Sequence, residues 1–563
     1  MQQPKLSGAE TLKAGSRGLR GEVAREISLP HGPNGISEAS YNLLKFHGSY
    51  EQYDRDTATV RKQAGASKEW QFMVRVRAPG GMMTAAQYLA LDDIAGRYAN
   101  GTLRITVRQG IQFHGTAIGN LKPHIAAINH ALMTTYAACG DVVRNVMTTP
   151  APRRDAMHQR LEADARMLSN ALLPTSRAYY QIFLDEPGDP EAPAPEDPIY
   201  GTTYLPRKFK IGLAHPADNT VDVLTNDLGF IALFDGDALV GYQVAVGGGL
   251  GMTHNKPRTY PRLGSIIGFV GPDELWAATK AVIALQKDHG DRSDRRRARL
   301  KYVVDDRGLD WVRQELTTTY GLALQPVRAM PPLTVPELLG WHEQGDGRLW
   351  LGVPVPSGRI EGALRTALRA AVERFGLDPV FTPQQDVLLS NIPPSDRAAL
   401  EALLREHGVV LNEALTPLSR WALACPALPT CGLALTEAER VRAPIIADVE
   451  AAMARHGLAE ERVSLRITGC PNGCVRPYAG DIGVVGRVPG QYALFVGGDF
   501  AGTRLSFKLL EKVPMDAIGV TLDPLFASFA ADRLGDEGFG DFCTRMGLPA
   551  LLSKLPSQAV AAE

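Results

Sequence analysis

The sequence predicts an α+β chain built by internal duplication behind an extended N-terminal arm, and three observations support this. A strand, turn, helix and returning strand occur near residues 71–108 and again near residues 349–389. The turn Thr106-Val-Arg-Gln-Gly-Ile111 matches Thr382-Pro-Gln-Gln-Asp-Val387 in outline. A later strand closes on glycine in each copy, at Val246-Gly-Gly-Gly249 and at Val496-Gly-Gly498. Self-similarity of this kind marks repeated supersecondary units.

Taken in order, residues 1–65 are polar and broken by Pro30, Gly32, Pro33, Asn34 and Gly35, an arm laid over another surface. From Gln71 to Arg77 residues alternate as in a strand, Pro79-Gly-Gly81 turns the chain, and Thr84 caps a helix through Tyr98. Thr102–Arg108 is the returning strand. Asp185–Pro198 is rich in proline and acid, which predicts a solvated loop. In the second copy Leu349–Val353 is the strand, Ser357-Gly-Arg359 the turn, Glu361–Phe375 the helix and Val380–Leu389 the return. Arg108 of the first copy becomes Gln384 in the second.

A chain of 563 residues exceeds one hydrophobic core and can bury a large prosthetic group. Lysine plus arginine (60) balance aspartate plus glutamate (61), so no global charge points to nucleic acid. No apolar run is long enough for a membrane span. Met1–Glu22 carries charges throughout and lacks a secretory core, so a cytoplasmic address is expected. Clustered cysteines in a reducing compartment read first as metal or redox ligands.

Four of the six cysteines form such a cluster, in Cys425-Pro-Ala-Leu-Pro-Thr-Cys431 and Cys470-Pro-Asn-Gly-Cys474. Iron–sulfur clusters take four thiolates, whereas structural zinc favours closer pairs than the first of these. An iron–sulfur cluster is expected, with a zinc-stapled, non-catalytic interaction module as the alternative. Cys139 and Cys543 stand alone and are expected to be small buried hydrophobes.

These cysteine motifs resemble those of the sulfite and nitrite reductases that couple a [4Fe–4S] cluster to siroheme. So do Arg75-Val-Arg-Ala-Pro-Gly-Gly81, Arg104–Gly115, Val143-Arg-Asn-Val146, Thr203–Lys210 and Gly538-Phe-Gly-Asp541, and the similarity spans nearly the whole chain. It implies an α+β, internally duplicated sulfite/nitrite reductase fold. Two ferredoxin-like half-modules would stand beside two mixed α/β siroheme- and cluster-binding modules. The expected divisions are an arm at 1–65, the first ferredoxin-like module with following helices at 66–184, and the loop at 185–198. They continue with a siroheme and substrate module at 199–330, the second ferredoxin-like module at 331–410 and the cluster module at 411–563.

By the same resemblance Cys425, Cys431, Cys470 and Cys474 hold the cluster, and Cys474 also bridges to the siroheme iron. Arg75, Arg144, Lys208 and Lys210 would face sulfite. Arg104, Arg108, Arg207 and Lys301 would meet siroheme carboxylates. The activity implied is six-electron reduction of sulfite to sulfide, in sulfate assimilation and cysteine biosynthesis. The second lysine of Lys208-Phe-Lys210 favours sulfite, since the nitrite enzymes typically carry asparagine there. No Gly-x-Gly-x-x-Gly fingerprint for flavin or NADP occurs, so electrons are expected from an NADPH-dependent flavoprotein subunit, with ferredoxin as the alternative.

Read without the resemblance, Arg75 with Arg77, or Lys208 with Lys210, is a same-face pair on a strand, more often an exposed face than a site. The basic run Arg292–Arg299 reads as a solvated helix face or docking patch. Gly247-Gly-Gly249 lacks the ending of a phosphate loop and reads as a place of close cofactor approach.

Overall fold

The computed structural model describes residues 5–189, 192 and 195–556, so part of the predicted loop 185–198 lies outside the described residues. Strands β1 (Ser49–Tyr53), β2 (Trp70–Val76), β3 (Leu103–Ile105) and β4 (Ile111–Thr116) form an antiparallel sheet in the order β1-β2-β4-β3. The helix Ala85–Tyr98 links β2 to β3, and a reciprocal Thr84–Gln87 capping box starts it. Strands β5 (Ile211–Ala214), β6 (Leu228–Asp235), β7 (Ala238–Val246) and β8 (Ser265–Val270) follow, β5 parallel to β6 and the rest antiparallel.

The plan then repeats. Strands β9 (Gly340–Glu343), β10 (Leu349–Val353), β12 (Asp378–Phe381) and β13 (Val387–Ile392) lie in the order β12-β13-β10-β9, and the short β11 (Arg359–Ile360) leaves them to pair with β3. Strands β14 (Ala422–Ala424), β15 (Leu465–Thr468), β16 (Ile482–Val488), β17 (Gln491–Val496) and β18 (Phe507–Pro514) close the chain. Here β15 is parallel to β16, and β17 and β18 continue antiparallel, the pattern of β5 to β8.

Each returning strand expected as one run is a hairpin. Gln109 (φ 58°) and Gln385 (φ 72°) adopt the left-handed conformation at matching positions, and Thr106 and Thr382 close the turns onto Gly110 and Asp386. Two polar residues tolerate that bend because each side chain is anchored: Gln109 Nε2 donates to the Gly80 carbonyl at 2.7 Å and Gln385 Nε2 to the Ser357 carbonyl at 3.0 Å.

The two half-modules interlock about this symmetry. A Cβ on Gly81 would strike the Phe381 carbonyl, and one on Gly358 would strike the carbonyl of its counterpart, Ile105. Both glycines also have positive φ, 79° and 71°, so close approach and conformation demand glycine at each.

The N-terminal arm is not simply extended. It forms the helices Gly8–Ala14, Val23–Ile27 and Glu38–Leu44, contributes β1, and buries Leu19, Val23 and Leu44 in the core. Lys13 Nζ donates to the Leu205 carbonyl at 2.7 Å, tying the arm to the segment before Lys208.

Candidate active site

The cationic residues converge on a wall built from both halves of the first copy. Lys208 and Lys210 do not lie within β5 but on the extended segment before it, where Phe209 bridges Val143 and alternation still sends both lysines to one side. They keep some accessible surface while protein encloses them, and neither ammonium has a hydrogen-bond or ion-pair partner among the described residues. Burial, then Arg144, Lys210 and Arg207, push the Lys208 pKa well below its ordinary value. Burial, then Arg108 and Arg299, do the same to Lys210. Lys208 and Lys210, crowded by arginines and with no acid paired to either ammonium, make a cradle for an anion.

Arg75, on β2, lies under the ring of Tyr50 and places Nη1 2.7 Å from Cys139 Sγ. Arg144 donates to the Gly140 carbonyl at 3.2 Å, and Tyr50 feels the charges of both arginines. Cys139 is buried, as expected, but as part of this wall. Arg108 bonds Asn226 Oδ1 at 2.9 Å and the Asn145 carbonyl at 2.6 Å. Arg207 is half-exposed with Asp141 at 3.7 Å.

Arg104 and Lys301, two of the expected siroheme contacts, have protein partners. Arg104 is buried with its guanidinium on Glu439 and on the Ala424 carbonyl at 2.9 Å, just before Cys425. Lys301 Nζ donates to the carbonyls of Gly249 (2.9 Å), Gly251 (3.0 Å) and Tyr260. It clamps the loop after β7, and burial, then Arg299, lowers its pKa to about 7. In each, neighbouring carbonyls and carboxylates satisfy the charge.

Two further expectations are corrected. The run Arg292–Arg299 is neither helical nor solvated as a whole: Arg295 forks onto Asp141 at 2.7 and 3.1 Å, and Arg299 forks onto the fully buried Asp227 at 2.7 Å through two bonds. Gly248 is demanded by protein backbone, since a Cβ there would strike the carbonyls of Leu224 and Asn226.

The four cysteines of the second copy share one neighbourhood. Burial, then Cys474, raises the Cys425 thiol well above its ordinary value. The same causes raise Cys431, and lift Cys470 to about 12. Cys474 is exposed and Cys431 partly so. Among the described residues no group of three or more His, Cys, Asp or Glu forms a single-ion cage. Gathered thiols whose neutral forms are favoured must lose protons to bind metal, which couples loading to pH.

The Cys470–Cys474 loop meets the first copy directly. Met252 N donates to the Pro471 carbonyl at 3.0 Å. Arg476, two residues past Cys474, pairs with Asp222 at 2.6 Å and donates to the Val107 carbonyl at 3.2 Å, beside Arg108. Sequence reading missed Asp227, Asp222 and Tyr50 as partners of the site. No local signal marks them, because each is far in sequence from the arginine it meets.

The "Nitrite/Sulfite reductase ferredoxin-like half domain" matches residues 66–131 and 342–407, and the "Nitrite and sulphite reductase 4Fe-4S domain" matches residues 163–323. The chain belongs to the nitrite and sulfite reductase family. The sulfite reductase [NADPH] hemoprotein beta-component of Myxococcus xanthus is 44% identical over 99% of both chains. That of Xylella fastidiosa is 45% identical over 97% of both. The solved structure of Mycobacterium tuberculosis NirA protein superposes with a TM-score of 0.79 at 25% identity, over 98% of each chain. The family's two half-domain matches are the two interlocked sheets described above. The model named for the cluster matches the first copy, while the four cysteines lie in the second.

Proposed function

We propose that this chain is a sulfite reductase hemoprotein that carries siroheme and a [4Fe–4S] cluster and reduces sulfite to sulfide with six electrons. The unpartnered Lys208 and Lys210, walled by Arg75, Arg108 and Arg144 beside the Cys474 loop, carry this reading. Cys425, Cys431, Cys470 and Cys474 would hold the cluster, with Cys474 shared with the siroheme iron. Siroheme and cluster together supply stored electrons and an iron site for the substrate sulfur.

The protein's own groups then do the rest. Arg75 and Arg144 offer forked donors to oxyanion oxygens. Lys208 and Lys210, crowded by cations, hold protons weakly at Nζ and so transfer them readily to departing oxygens. Entry of an anion favours the ammonium forms, so binding takes up protons.

Exchanging Lys210→Asn tests the substrate assignment. Relative turnover should shift from sulfite toward nitrite, and an unchanged ratio would count against it. The electron donor is an NADPH-dependent flavoprotein subunit, supported by the names of the relatives. Turnover with NADPH and flavoprotein should exceed turnover with reduced ferredoxin, and the reverse would transfer the assignment to ferredoxin. No described helix is long and apolar enough to cross a membrane.

A further inference from the structure

A cavity of about 140 Å³ opens between the two copies, at the first copy's counterpart of the cysteine site. The correspondence is set by matching hydrogen bonds: Thr148 N donates to Gln109 Oε1 at 3.1 Å, and Ala424 N donates to Gln385 Oε1 at 3.3 Å. Thr149 therefore stands where the second copy has Cys425, and Asp155 where it has Cys431. The cavity is lined by Thr149, Arg153, Arg154 and His158, with Met82 and Val380 on its apolar side.

Two of its arginines are weakly engaged. The lining carboxylates are engaged: Glu162 pairs with Arg166 at 2.7 Å, and Asp378 accepts from Ala85 N and Asn391 Nδ2, both at 2.8 Å. Asp155 binds His158 Nδ1 at 2.7 Å. Arg153 has no side-chain hydrogen bond or ion pair among the described residues, and Arg154 has one bond, to Asn391 Oδ1 at 3.4 Å.

At about 10–15 Å³ per water-sized position, the space suits a ligand of roughly ten non-hydrogen atoms. We infer that this cavity binds a small organic anion, its charged head on Arg153 and Arg154 and its apolar body against Met82 and Val380. Guanidinium forks accept carboxylate and phosphate heads alike, so the head group is left to experiment.

Calorimetric titration of the holoprotein with butyrate, propyl phosphate and inorganic phosphate separates these cases. At least one organic probe should bind with a Kd at or below about 1 mM, more tightly than inorganic phosphate. The exposed pair Arg153→Ala and Arg154→Ala should weaken it at least tenfold while sulfite turnover is unchanged, which separates this cavity from the sulfite pocket. The proposal is overturned if no organic probe binds, if the double variant binds as well as the parent, or if inorganic phosphate binds equally.

Discussion

The two copies share a backbone plan and divide the chemistry between them. Lys210 N donates to Asp227 at 2.9 Å, and Ser464 N donates to the matching Asp481 at 2.8 Å, so these positions correspond. On that register Lys208 corresponds to Arg462, and on the register of the Gln109 and Gln385 turns Asn145 corresponds to Trp421 and Arg108 to Gln384. In the first copy the cations crowd Lys208 and Lys210, whose ammonium groups have no partner among the described residues. In the second, Arg462 stacks on Trp421 (4.4 Å) and Phe500 (3.7 Å), and only about 10 Å³ of cavity is left between Gln384, Trp421 and Ser464.

At the other end the division reverses, with thiols in the second copy and Thr149 and Asp155 in the first. Each copy thus keeps one half of the candidate site. The twofold crossing brings the halves together, because Asp222 of the first copy pairs with Arg476 of the second at corresponding left-handed positions, φ 47° and 62°.

Breaking the pair that supports the cationic side should have the largest effect. Arg299→Met would leave the buried Asp227 carboxylate alone, costing about 3–5 kcal/mol, read as a fall in denaturation midpoint. A loss below about 1 kcal/mol would mean that Asp227 is held mainly by the Lys210 amide.

Giving the first copy the second copy's residue comes next. Lys210→Ser should lower kcat for sulfite by about 10²–10³, the usual effect of removing one transition-state donor. Retained kcat would assign the proton to another group.

The shared scaffold is probed by Gly81→Ala and Gly358→Ala. Each should cost about 1–3 kcal/mol from the left-handed backbone alone, with more from the carbonyl clash. Clearly unequal losses would show that the two crossings are not energetically equivalent.

A last comparison concerns sign rather than size. Lys208 and Lys210 have folded pKa values below their unfolded value of 10.5, so the unfolded chain binds more protons. With no anion in the pocket, stability should therefore rise with pH between the lowered values and 10.5. Lys208→Met with Lys210→Met should flatten that slope, and a slope unchanged in the double variant would place its origin elsewhere.

Much of the site was legible because it is written in local motifs. The four cysteines, Lys208-Phe-Lys210 and Arg75 are short patterns, and the duplication shows as turn and strand-end patterns that recur. The hairpins at Gln109 and Gln385 were not legible, because glutamine seldom takes positive φ and only its anchored side chain permits the turn. Arg104 and Arg108 look alike in sequence, yet one is drawn to Glu439 and the other to Asn145 and Asn226.

By itself the sequence determined the duplicated α+β plan, the thiol set and the candidate anion-facing cations, since periodicity, turn residues and clustered ligands act over a few positions. Only the tertiary structure decided which charges remain available. A guanidinium or ammonium is free or satisfied according to the carboxylates and carbonyls that folding brings to it. For Arg299 with Asp227 and Arg476 with Asp222, that partner lies 72 and 254 residues away.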